Sequence, residues 1–123
     1  MTYTHAMVSV IATIEDSSLV IEPKGIWSKL ASLMRKVTIP LRAITSVSTA
    51  SAKIKGWKLA GTDFSPHIAG LFYDFRDGRI FYTLSNTDKC VTLKLHGFKY
   101  SEVVVQVEDK EKIAEMIRKA LRR

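Results

Sequence analysis

Apolar and polar positions alternate from Val8 to Ile14, and most of the apolar ones are β-branched. A polar break, Glu15-Asp16-Ser17-Ser18, interrupts them, and "LVIEP" (19–23) resumes the pattern. Period-two alternation on both sides of a polar tip predicts a first β-hairpin. The period then changes. In "IWSKLASLMRK" (26–36), Ile26, Trp27, Leu30, Leu33 and Met34 share one helical face, and Lys29, Ser32, Arg35 and Lys36 the other. That spacing predicts an amphipathic helix of about three turns. "VTIPL" (37–41) returns to strand character, with Pro40 marking an edge or an end. Ile44 to Lys55 reads as one long strand of small residues.

Gly56 and Gly61 punctuate a loop, and Pro66 holds Ser65 extended, so Asp63–Pro66 reads as a turn into a strand from His67 to Phe75. In "FYDFRDGRIFYTL" (72–84), Asp77-Gly78 suits a tight type I′ turn, which would set Phe75 across from Ile80 and Tyr73 across from Tyr82. "SNTDK" (85–89) makes the next turn, and "CVTLKL" (90–95) and "EVVVQV" (102–107) are strands. The chain closes with a helix over Lys110–Leu121, capped by Asp109, whose apolar stripe is Ile113, Met116, Ile117, Ala120 and Leu121.

The expected fold is mainly β with a C-terminal α-helix. About seven antiparallel strands must wrap into two packed sheets, a partial barrel, to bury one face, and the terminal helix covers the opening. All 123 residues read as one domain. The stretches "VTIPLRAITSV" (37–47), "GTDFSPHIAGLFYDFRDGRIFYTL" (61–84) and "VTLKLHGFKYSEVVVQVED" (91–109) resemble bacterial pleckstrin-homology (PH)-like domain proteins. The resemblance covers roughly residues 8 to 121 and implies a non-enzymatic binding or assembly module. PH domains that bind phosphoinositides carry several Lys and Arg between their first two strands. Here that stretch is Glu15–Ser18, which is acidic, so an anion site has to come from 24–58.

Charge sharpens this picture. The net charge is +7, and its placement is uneven. Between Glu22 and Asp63 there is no carboxylate, while Lys24, Lys29, Arg35, Lys36, Arg42, Lys53, Lys55 and Lys58 fill the gap. Such a segment favours anionic surfaces. The residues expected to contact a partner are Trp27, Lys29, Arg35 and Lys36 on the 26–36 helix, Lys53, Lys55, Trp57 and Lys58 in a basic loop, and Arg76 and Arg79 at the hairpin turn. Their expected target is a protein partner, a second copy of the chain or an anionic membrane surface. The alternative is single-stranded nucleic acid, because "KIKGWKL" interleaves cations with Trp57.

Chemistry adds little. Asp63, Ser65 and His67 hold the ingredients of a hydrolytic triad, but the context lacks a Gly-x-Ser-x-Gly elbow, and turn formation accounts for all three. His5, His67 and His96 are scattered, without metal-ligand spacing, so neither metal nor cofactor is expected. Cys90 is the lone cysteine and opens an apolar run, which reads as a small buried hydrophobe in a reducing compartment. No apolar run reaches the roughly 18 residues of a membrane span, so a cytoplasmic, at most membrane-peripheral, protein is expected.

Overall fold

The computed structural model describes residues 10–23, 36–54, 57–64 and 67–122, with the backbone alone for 23, 57–64 and 67–69. Nine strands and one long helix make up these segments. The first three strands, β1 (Val10–Glu15), β2 (Ser18–Pro23) and β3 (Val37–Pro40), form an antiparallel sheet in the order β1-β2-β3. The others are β4 (Ile44–Ser48), β5 (Trp57–Phe64), β6 (His67–Asp74), β7 (Gly78–Leu84), β8 (Cys90–Leu95) and β9 (Glu102–Gln106). They form a second sheet in the order β4-β8-β9-β7-β6-β5. Among the described residues the two sheets share no hydrogen-bonded ladder and do not close into a full barrel. The helix α1 (Lys110–Leu121) packs where β1 of the first sheet approaches β4 and β8 of the second.

The main core lies between the sheets. Leu19, Ile21, Val37 and Ile39 meet Phe81, Val91, Leu93, Val103 and Val105 there. From α1, Ile117 enters this core at 1% exposure, with Ile113, Met116 and Leu121 half-buried around it. The Asp109 carboxylate accepts the Lys112 backbone N–H at 3.1 Å, the expected N-cap.

Four expectations need correction. The described residues form nine strands where about seven were expected, and one pair, β7 with β9, is parallel. The strand from Ile44 stops at Ser48, where the Ser48 hydroxyl accepts the Ala50 N–H at 3.1 Å and turns the chain away. The supposed loop around Gly61 is β5, which acquires its strand geometry by pairing along β6. Consequently Asp63 sits in a ladder opposite Ile68, and the Asp63–Pro66 turn is shorter than expected, since Phe64 already pairs with His67. The β6–β7 register also differs: Ile80 faces Phe72 rather than Phe75, Tyr82 faces Gly70, and Tyr73 faces Arg79. The 26–36 helix falls outside the described residues except for Lys36, which is exposed just before β3.

The middle of the six-stranded sheet, along β9 and most of β7, is buried on both faces. Every residue of β9 is buried, Glu102 and Gln106 included. On the face away from the main core, Phe72, Ile80, Tyr82, Leu84, Cys90 and Val104 form a second cluster, with Ala52 against it. The topology explains the cover. β4 and β5 are opposite edges of one sheet, so the link from Ser48 to Trp57 spans five inter-strand spacings, roughly 24 Å. Its described part crosses the outer face as a strap. The Ala52 N–H donates to the Thr87 carbonyl at 2.9 Å, the Ser51 hydroxyl to the Asp88 carboxylate at 2.6 Å, and the Tyr82 hydroxyl to the Lys53 carbonyl at 3.2 Å. Beneath it, burial pushes the Cys90 thiol up to about 12, the nearby Lys110 charge opposing and the Asp88 charge adding.

Candidate functional site

The expected contact residues do not all gather. Trp27, Lys29, Arg35 and Lys55 lie outside the described residues. Lys53 is exposed on the strap. Trp57 and Lys58 open β5, where register sets Trp57 opposite Tyr73 and Lys58 opposite Phe72. Arg76 lies in the adjacent β6–β7 turn and Arg79 just after it, and both are exposed. Register therefore brings the chain that follows the strap to the same end of the sheet as the arginine turn. Lys36 stands apart, ahead of β3 in the other sheet.

The turn itself is tightly built. The Asp74 carboxylate accepts the backbone N–H groups of both Arg76 and Asp77 at 3.0 Å, which closes a three-residue loop of Phe75, Arg76 and Asp77. Gly78 then takes a left-handed φ of +81°. This is why the turn centres before Asp77-Gly78 and the register shifts. The Ser101 hydroxyl, from the β8–β9 connection, bonds the carbonyls of Asp77 and Arg79, and the Ser101 N–H donates to the Arg79 carbonyl at 2.8 Å. A Cβ on Gly78 would meet the Ser101 oxygen at 3.3 Å. Gly78→Ala is expected to lower stability by about 1–2 kcal/mol, because left-handed backbone and a crowded Cβ coincide. Chemical denaturation checks this, with Gly78→Asn expected to lie between Gly78→Ala and the parent in backbone strain.

The loop holds its side chains outward. Phe75 is 81% exposed and Tyr73 39%, their rings edge-to-face with centroids 6.0 Å apart. The β8–β9 connection, tied to the turn through Ser101, carries exposed Lys99, whose Nζ lies 5.4 Å from the centre of the Tyr100 ring. Tyr100 is buried, stacks on Phe81 at 5.6 Å and meets Phe98 edge-on at 5.8 Å, so this end of the sheet rests on an aromatic base. Burial raises the Tyr100 hydroxyl pKa, while the positive charge of Arg79 pulls against it. The result is a locked tip bearing an exposed phenyl ring and two exposed arginines, Arg76 and Arg79, with the carboxylates of Asp74 and Asp77 half-buried in the same turn.

Sequence reading found the two arginines and missed Phe75 and Lys99. Phe75 looked like a cross-strand partner for Ile80, and only the three-residue turn frees it. Lys99 carries no local signal, since its relevance comes from the fold.

Other places offer less. The β1–β2 turn holds just Asp16 and Ser17 between its paired strands, with Asp16 at φ +55°. A shallow depression there is lined by Asp16, Ser17, Leu41, Arg42 and Leu121, one acid beside one base. Among the described residues no three His, Cys, Asp or Glu side chains come together. No described helix is long and apolar enough to cross a membrane.

Two packed sheets left open at one end, with a C-terminal helix in the opening, define a PH-like fold. The sequence pattern of the bacterial PH domain matches residues 11–120, and the chain belongs to that family. Neither a curated protein nor a solved structure matches it. Family membership supports a binding or assembly module and names no partner.

Proposed function

We propose that the chain is a non-catalytic module that docks on an anionic membrane surface from the cytoplasmic side through the Phe75 tip. One observation carries this reading: an 81%-exposed phenylalanine is held on a turn with side-chain and backbone locks, and the same turn exposes Arg76 and Arg79. Aromatic rings settle at the boundary between headgroups and acyl chains. Cations beside them gain about 1 kcal/mol each near anionic lipid. The surplus of base over acid along the whole chain steers approach in the same sense.

Co-sedimentation with vesicles tests it. Binding is expected to phosphatidylserine-containing vesicles and not to phosphatidylcholine alone, and to weaken with salt. Phe75→Ala and the pair Arg76→Glu/Arg79→Glu should each reduce binding at least several-fold while leaving the fold intact, since all three side chains are exposed. Equal binding by these variants would move the contact elsewhere. Salt-sensitive binding to a single-stranded oligonucleotide, with none to vesicles, would favour the nucleic-acid reading.

A further inference from the structure

The six-stranded sheet has two edges, and they are treated differently. At the β4 edge, Arg118 Nη2 donates to the Val47 carbonyl at 3.1 Å and Lys110 Nζ to the Thr49 carbonyl at 2.8 Å. Side chains of α1 thus cap the end of that edge. At the other edge, β5 runs for eight residues and pairs with β6 along one side, and no described strand lies along its other side. Long edges of this kind recruit a further strand.

The register of β5 indicates which strand. A bulge falls between Lys58 and Ala60: Lys58 stands opposite Phe72, and Ala60 opposite Leu71. Phe72 in turn faces Ile80, a member of the outer cluster. Asp63 stands opposite Ile68, which faces Leu84 of the same cluster. Lys58 and Asp63 therefore occupy positions on one face of the sheet, although five residues apart they would alternate in a regular strand. The bulge makes the strand symmetric about Gly61. Counting ladder positions outward from Gly61, Ala60 answers Thr62, Lys58 answers Asp63, and Trp57 answers Phe64.

We propose that two copies of the chain pair antiparallel through β5, on a twofold axis at Gly61. In that register each lysine position meets an aspartate position of the other copy, twice over, and each Trp57 position meets a Phe64 position. Opposite charges and aromatic pairs directly across strands are favourable. Small residues, Ala60, Gly61 and Thr62, occupy the centre. A slip of two residues either way loses both charge pairings. The contact is isologous, so it closes at two copies and does not propagate. Neither Phe75 tip lies in the seam, and the inference does not depend on the membrane reading.

Charge reversal tests the register. Sedimentation velocity should show a dimer for the parent chain that dissociates on dilution. Lys58→Asp and Asp63→Lys should each yield monomers, because like charges then face one another twice, while circular dichroism stays unchanged. Mixing the two singly reversed chains should restore a dimer, since every pairing across the seam is again of opposite sign. The double reversal Lys58→Asp/Asp63→Lys should dimerise alone. A parent chain that stays monomeric up to its solubility limit overturns the proposal, as does a dimer indifferent to both reversals.

Discussion

Ending the chain after Glu108 is expected to abolish the cooperative thermal transition. The cut removes α1, whose Ala114, Ile117 and Ala120 are buried and whose Ile113, Met116 and Leu121 are half-buried on the main core. Burial of one large aliphatic side chain stabilises by about 1.5–3 kcal/mol, so the stripe as a whole rivals the ~5–15 kcal/mol that holds an ordinary domain together. The loss goes beyond the helix's own contacts. The parts of β4 and β8 on which the helix packs would face water, and the Val47 and Thr49 carbonyls would lose their Arg118 and Lys110 donors. An uncapped edge beside an opened core favours aggregation. In the full-length chain Ile117→Ala isolates the packing component, with an expected cost of about 2–5 kcal/mol. Calorimetry or thermal circular dichroism reads both. A sharp transition in the truncated chain would mean that the sheets are stable unplugged, against everything the contacts of α1 imply.

Tyr82→Ala is expected to be the most costly single substitution on the outer face. Tyr82 is fully buried, meets Phe72 edge-to-face at 5.0 Å and supports the strap through the Lys53 carbonyl. Emptying a large aromatic site costs about 3–5 kcal/mol. Tyr82→Phe keeps the ring and loses the hydroxyl bond, a change of about 0.5–1.5 kcal/mol. Cys90 gives a local readout, because it belongs to the same cluster and its burial keeps the thiol protonated. Alkylation of Cys90 under native conditions should be slow in the parent and in Tyr82→Phe, and fast in Tyr82→Ala. Equal stability and equal alkylation in the two variants would show that the strap covers nothing of consequence.

The parts of this architecture that the sequence reveals are those with strong local chemistry. Asp109, a clean apolar stripe and a basic last turn announce α1, and the run Val103-Val104-Val105 announces a strand. The same run holds a further message, since an unbroken apolar strand is buried on both faces. Ile80 to Leu84 says the same, and together they imply the second cluster. What covers that cluster is not legible, because the strap's hold depends on Thr87, Asp88 and Tyr82, each far from it in sequence. β5 is hidden for a related reason: Ala60-Gly61 lacks alternation, and only pairing with β6 makes a strand of it. At the candidate site the arginines are visible as charges. Phe75 is not visible as a surface residue, because one carboxylate, Asp74, decides where the turn closes.

β9 lies between β7 and β8, antiparallel to one and parallel to the other. During synthesis, β7 and β8 are therefore both complete before the strand that joins them exists. The nascent chain holds two separate patches, one ending at β7 and one at β8, each with an apolar edge turned to solvent. Closure waits for residues 102–106 to leave the ribosome. A sheet wired this way closes only when β9 docks, rather than piecemeal. Its most vulnerable interval is the short time in which chaperones rather than neighbouring strands must shield those two edges.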